Sequence, residues 1–472
     1  MLSVVNNSTS LNAQANLSRA GSALAKTTER LSSGLKINRG ADGPAALVIS
    51  EKQRAQIAGL RQAIDNTDKA VSMVQTAEGA LNEINSLLVK VRSLAIDSAN
   101  TGVNDSDALA ANQAEIATAL DTINRIANNT QFGTKKLLDG SGGITGTSDD
   151  ATHVSVLKAT SDTTAGTYAV EITTEGERAN VAAGTAQSSA LAADETLTVN
   201  GVAIQLESGM SQTDVVSRIN DFTAQTGVSA EVATGGETRV YSQAFGSDAE
   251  LSIVSNVAAA ATSSGFGTTL STDTGVNVVG TIDGDTYTGK GNVLTATSGN
   301  GKGLSVQFAA DTADAALTVA AGAHGNVTAV DNSLVFQIGA NANHTAKVAI
   351  GKMNTDALGV GVSGNQFNSL NEIDVTSGSK AQDALGVIDA AINNVTNLRG
   401  TLGAFQQNTL QATASNLQVT LENTVNAESV IRDTDFAEEI ANLTKNQVLV
   451  QAGASVLKTA NQQPQLVLSL LQ

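Results

Sequence analysis

The sequence predicts a mainly α-helical protein with a β-rich insert. Both termini are expected to form one long antiparallel α-helical coiled-coil bundle, with a β or α+β domain projecting outward from the middle. Three observations predict this. Toward both ends, apolar residues recur in alternating three- and four-residue steps over stretches far longer than one compact domain needs. Between residues 146 and 327 the pattern changes to short β-branched runs separated by Gly, Asn, Asp and Ser. Aromatic residues make up only 3% of the 472 and tryptophan is absent, so small side chains have to carry the packing.

The first segment, to about Ile37, has a thin seam. Leu17, Leu24 and Leu31 stand seven residues apart, with Leu35 beyond them. A fully buried leucine stabilises by about 1.5–3 kcal/mol, while ordering each residue costs about 1–2 kcal/mol. The segment is therefore expected to stay disordered until something packs on it. Pro44 then opens a long helix, with Asp42 or Gly43 as its cap. Its seam reads Ile57, Leu60, Ile64, Thr67, Val71, Val74, Ala77, Leu81, Ile84, Leu88, Val91 and Ala95, with an irregularity near Ala77. Ending near Asn100, it would be about 85 Å long at the α-helical rise. A second helix, capped by Asp105 or Ser106, carries Leu109, Ile116, Leu120, Ile123 and Ile126, stops at Asn128-Asn129 and doubles back on the first.

In the middle, Asn200-Gly201 between Leu197–Val199 and Val202–Leu206 signals a hairpin. A short helix follows, capped by Ser211 or Thr213, with Val215, Ile219 and Phe222 inward. Strands are expected at Val228–Val232, Arg239–Ser242, Leu251–Val254, Tyr168–Ile172, Asn292–Ala296 and Leu304–Phe308. From Ser379 a second long helix carries Leu385, Ile388, Ile392, Val395, Leu398, Leu402, Phe405, Leu410, Leu417, Leu421 and Val425. The last helix starts near Asp435, with Phe436, Ile440, Leu443, Leu449, Ala452, Val456 and Ala460 read as its inward side, and the chain closes on VLSLL.

Charge and motif content exclude several function classes. The net charge is −18; residues 141–320 hold 20 acidic and 6 basic side chains, a net of −14 that leaves −4 for the remainder. Nucleic acid and anionic membrane are poor partners for such a chain. Without cysteine there is no disulfide and no thiolate metal site. The opening MLSVVNNSTSLNAQ lacks the basic and apolar regions of a secretory signal. His153, His324 and His344 lie far apart with no HExxH, so they read as scattered surface histidines. GDTYTGKG, Gly284–Gly291, fails as a phosphate loop because Gly291 replaces the Ser or Thr and a strand-like run follows; a plain turn is expected, with Asp283 and Asp285 too few for a cation. No catalytic, metal-binding or cofactor-binding residues are expected, and no enzyme activity.

ERLSSGLKIN, TAEGALNEINSLLVKVRSLAIDSAN and NNTQFGTKKLLDG resemble the amino-terminal part of bacterial flagellin, and VIRDTDFAEEIANLTKNQVLVQAGASVLKTANQQPQLVLSLLQ resembles its carboxyl terminus. The likeness covers Leu11–Gly140 and Leu334–Gln472; the hairpin–helix–strand block in between is similar to an insert module of flagellins and hook-associated proteins.

The resemblance implies a self-assembling structural subunit of the flagellar filament, extracellular and serving swimming motility. It implies an inner coiled coil from 1–43 and 434–472, disordered in the monomer. An outer helical bundle with a small β-segment would come from 44–145 and 328–433, and a surface-exposed domain from 146–327. Subunit packing is expected at Leu17, Leu24, Leu31, Leu35, Leu81, Ile84, Leu88, Val91, Leu398, Leu402, Phe405, Leu443, Val456 and Leu457. Implied partners are further copies of the chain, a flagellar export chaperone, a filament cap protein and hook-associated proteins, with export unfolded through the type III apparatus. The animal flagellin-sensing Toll-like receptor is a further implied partner, at Lys90, Arg92, Leu94 and Glu115. Lys90 replaces the family's usual arginine and cannot reproduce a bidentate contact, so weaker recognition is expected. INRGADGPAAL and the terminal Gln472 depart from the family pattern. Two other readings fit less well: a hook-associated junction protein, or a flagellin whose middle domain is an adhesin or enzyme.

Overall fold

The computed structural model describes residues 7–470, with side chains to residue 462. Gln472 and the side chains of the closing VLSLL run lie outside the described residues. Two compact units are present. One runs to Asp68 and adds Gln337–Thr345 and the chain from Gln411; the other is Lys69–Phe336 with Ala346–Leu410.

In the first unit, helix α1 (Ser8–Ser33) starts at Asn7, whose side chain accepts the Ser10 N–H and donates to the Ala460 carbonyl at 2.8 Å. That second bond reaches the last helix, α8 (Phe436–Leu470), which lies antiparallel to α1. Their shared seam is a heptad pattern on both sides: Ala13, Leu17, Ala20, Leu24, Thr27 and Leu31 face Glu439, Leu443, Asn446, Val450, Gly453, Leu457 and Ala460. Between α1 and α2 (Pro44–Ser98), a 3₁₀ turn at Gly40–Asp42 is held by Asp42, which pairs with Lys26 at 2.7 Å and accepts the Arg39 N–H at 3.1 Å. The Lys26 ammonium, more than any other group, holds that carboxyl below the usual range. Helix α7 (Ala412–Arg432) packs Leu417 and Leu421 on Leu60, Ala63 and Ile64 of α2, and Arg432 bonds Glu51 at 3.1 Å. A short bridge between Leu35 and Asp433 joins the two crossing segments.

The seam of α2 differs from the expected one at two places. Ala63 and Ala70, not Ile64 and Val71, are the buried residues. With them the steps alternate regularly from Leu60 onward, and the irregularity moves from Ala77 to the 57–63 turn. Alanine at a contact lets the partner backbone come close, so the larger neighbours sit at its flank. Thr67, fully buried, satisfies its hydroxyl on the Ala63 carbonyl at 2.8 Å.

The second unit joins helices to sheets. Here α2 packs with α3 (Ser106–Asn129), capped by Asp105, which accepts the Ala108 N–H at 2.9 Å. The chain returns in α6 (Gly378–Ala404), capped by Ser377, burying Ala384, Val387, Ile388, Ala391, Val395 and Leu402. Between α6 and α7 the expected continuous α-helix is replaced by a π-helical stretch, Phe405–Gln411. The buried residues explain it: Val395, Leu402, Leu410 and Leu417 are separated by seven, eight and seven residues. The extra residue in the middle step is absorbed by widening the turn.

Two β modules fill the insert. A five-stranded antiparallel sheet, in the order Asp285–Thr288, Val279–Ile282, Gly166–Thr174, Gly322–Asp331, Ile144–Ser148, shares a core with a three-stranded sheet of Val293–Thr295, Ser305–Phe308 and Val154–Lys158. Phe308 lies at the centre of that core. The other module stacks Glu195–Val199 and Val202–Leu206 with two further strands. A second sheet of Arg178–Ala182, Thr238–Phe245 and Val228–Val232 shares its core, with α4 (Gln212–Asn220) and the short α5 (Thr223–Thr226) alongside. Asn200 and Gly201 both take positive φ, as a type I′ hairpin turn requires. Ser211, not Thr213, caps α4, in a capping box with Asp214. Lys380, at the start of α6, anchors this module to the helices through the Ala224 carbonyl and Asp374, at 2.8 and 2.7 Å.

Candidate assembly surface

The packing residues expected from sequence fall into two groups. Leu81, Ile84, Leu88 and Val91 are fully buried within the chain itself, as is Leu402, so their contacts are intramolecular; Leu398 and Phe405 are half-buried on α6 and at its end. Leu17, Leu24, Leu31, Leu443 and Leu457 lie half-buried in the α1–α8 seam, and Leu35 lies just past α1. Ile440, Leu449 and Val456, read as the inward side of α8, instead point away from α1, and Val456 is 58% exposed; Phe436, though largely exposed, lies against Gly34 at the end of α1. Ala452 is likewise exposed. The seam selects Gly453 instead, where a side chain would lie 3.3 Å from Leu17 Cδ1.

Apolar residues therefore lie all round α8: on the α1 side at Phe436, Leu443, Val450 and Leu457, and on other sides at Ile440, Val448, Leu449 and Val456. A helix apolar all round belongs inside a core. One neighbouring helix with a thin seam does not provide that core. Leu11 on α1 and Val419, Val425 and Val430 on α7 are exposed in the same way.

On α2, Lys90 pairs with Glu115 of α3 at 2.6 Å, and Arg92 pairs with Asp389 of α6 at 2.6 Å; Leu94 is half-buried. These charges brace α2 between its two neighbours while staying accessible.

The expected turn near Gly284 is a hairpin turn at Asp283-Gly284, both at positive φ, and Asp285–Thr288 beyond it is a strand. Lys290 turns inward to Asn365 Oδ1 at 2.9 Å and the Phe367 carbonyl. The histidines are not all scattered on the surface. Pairing of Gly322–Asp331 with Ile144–Ser148 brings His324, 12% exposed, beside Asp150 and His153, and leaves His344 apart. Sequence distance hid this cluster, because strand order is not readable from spacing.

The family pattern described as the bacterial flagellin N-terminal helical region matches residues 4–142, and its C-terminal helical counterpart matches 385–471. The flagellin hook IN motif matches 194–243, the hairpin–helix–strand block. Flagellin of Salmonella rubislaw is 32% identical over 505 residues, and B-type flagellin of Pseudomonas aeruginosa 34% over 507, each covering 100% of both chains. The chain belongs to the bacterial flagellins. Among solved structures, the Escherichia coli flagellar cap protein FliD is similar at 19% identity and a TM-score of 0.28, over 46% of this chain and 66% of that one. As a flagellin, the chain is a structural subunit of the bacterial flagellar filament, an extracellular assembly that serves swimming motility.

Proposed function

We propose that this flagellin polymerises through its terminal helices, with residues 1–43 and 434–472 forming an inner coiled coil that orders only on joining the filament. Residues 44–145 and 328–433 make the outer helical bundle, and 146–327 face solvent. The observation that carries this reading is α8, apolar on every side yet covered on one. Copies of the same chain supply the missing cover. Neither α1 nor α8 buries enough alone to offset its ordering entropy. The chain acts by assembly and not by catalysis.

Its further partners on this reading are an export chaperone holding α8 before assembly, type III export in the unfolded state, a cap protein over the growing end and hook-associated proteins at the base. Lys90, Arg92, Leu94 and Glu115 are the strip offered to the animal flagellin-sensing Toll-like receptor. Their mutual and neighbouring ion pairs must loosen for that contact, and exposed, solvent-screened pairs of this kind give way readily.

The test compares purified full-length chain with residues 44–433 after addition of ammonium sulfate, which strengthens apolar burial. Sedimentation and negative-stain microscopy should find long filaments from the first and soluble monomer from the second. Filaments from the trimmed chain would show that the termini are dispensable.

A further inference from the structure

Independently of assembly, we propose that Asp150, His153 and His324 form a binding site for a divalent transition-metal ion, zinc fitting best, in the outward β domain. The carboxylate and the two imidazoles each offer one ligand atom, all within 4.8 Å of one another. His324 is already set as a ligand. Its Nε2–H donates to the Ala320 carbonyl at 2.8 Å; a carbonyl can only accept, so Nδ1 carries the free lone pair. Metal-bound histidines are commonly fixed through the other ring nitrogen in this way. His324 Nδ1 lies 3.8 Å from Asp150 Oδ2 in a partly enclosed site, so that a cation placed between them is in reach of both atoms. The His324 ring is steadied by Phe308, with centroids 6.0 Å apart.

Asp150 is equally constrained. Its N–H donates to Ser148 Oγ at 3.2 Å, and its Oδ1 accepts the His153 N–H at 3.3 Å, which leaves Oδ2 aimed at both rings. His153 Nδ1 lies 2.7 Å from Oδ2 and the side chain is 45% exposed, free to rotate from hydrogen bond to metal bond. Two imidazole nitrogens and one carboxylate oxygen suit zinc, with water completing the tetrahedron. Such an ion would staple the 149–153 turn to the strand Gly322–Asp331, closing one edge of the five-stranded sheet. Exchange between ligand atoms involves no redox step; zinc takes the lone pair of the His153 ring nitrogen that carries no proton, the ring proton staying on the other nitrogen.

The experiment titrates zinc chloride alone into the full-length monomer by calorimetry, and repeats it with cobalt(II), read by the visible absorption of a tetrahedral site. One zinc per chain and a raised thermal midpoint are expected. His153→Ala and Asp150→Asn should each weaken binding by more than about tenfold, while His344→Ala binds as the native chain does. Circular dichroism of the exposed-site variant His153→Ala checks that the fold is retained. No binding at excess zinc would overturn the proposal, leaving a carboxylate that merely hydrogen-bonds histidine. Binding that survives both His153→Ala and Asp150→Asn would overturn it equally, placing the ion elsewhere.

Discussion

Lys290 concentrates the residue-scale physics of the β domain. It is the lysine that reaches Asn365 Oδ1 and the Phe367 carbonyl, and burial pushes its ammonium down to about 8 even though Asp248, Glu372 and Asp383 pull the other way. In the unfolded chain a lysine titrates near 10.4. Between these values the unfolded chain binds the extra proton, so stability should rise with pH from about 8 to about 10. Below 8 both states are protonated and the cost of the buried charge is constant. Urea unfolding of the native chain should therefore show a midpoint climbing across that window, and Lys290→Met should make the climb shallower, leaving the part that Lys158, also pushed down by burial, supplies. Tyr168 and Tyr241 stay out of the window, since burial pushes both hydroxyls above their ordinary value. None of this was legible in sequence, where Lys290 stood out only as part of a failed phosphate loop; its partners lie more than 70 residues away.

At the scale of elements, the α1–α8 pair has a thin seam, and Gly453 stands against Leu17 in it. Gly453→Ala needs the flexible leucine to give by a few tenths of an ångström. Gly453→Leu drives a wedge into the seam, at an overpacking cost of about 1–3 kcal/mol, comparable with what such a seam supplies. The alanine variant should polymerise and the leucine variant should remain monomeric with an unchanged β domain, as sedimentation and circular dichroism would read. Normal filaments from Gly453→Leu would count against close helix pairing as an assembly device. The polar pair Asn446–Thr27, joined at 3.1 Å within the same seam, sets its register. Helix existence and starts were readable because Pro44 and Asp105 punctuate the periodicity; the return helix, expected from Ser379, starts at Gly378 behind its cap Ser377. Faces were less so. On α2 the seam passes through Ala63 and Ala70, which carry little hydrophobic signal beside Ile64 and Val71. On α8 the bulkiest apolar residues suggested an inside that one chain does not have.

Across the whole molecule, charge is divided as sharply as structure. The acidic excess of residues 141–320 is a property of each copy, and copies in an assembly bring those excesses together. Screening over about 10 Å at 0.1 M salt, against about 30 Å at 0.01 M, should matter to growth. The monomer concentration needed for filament growth is expected to fall several-fold over that range, while a chain with 146–327 replaced by a short Gly/Ser linker should show little change. Equal salt dependence in both chains would move the repulsion to the helices. Strand content of the insert was visible in its β-branched runs, and the Asn200-Gly201 turn fixed one hairpin's register. The order of strands was not visible, and the convergence of His153 with His324 depended on it.

The π-helical stretch Phe405–Gln411 holds one residue more than a regular helix would place between its buried neighbours, while the buried positions on either side keep their face. Removing a single exposed residue there, such as Gln407, would return Leu402 and the residue now numbered 410 to seven-residue spacing. Every buried side chain from Val395 to Leu417 would keep its face, so this turn is a place where the helix can change length by one residue without disturbing what it packs against.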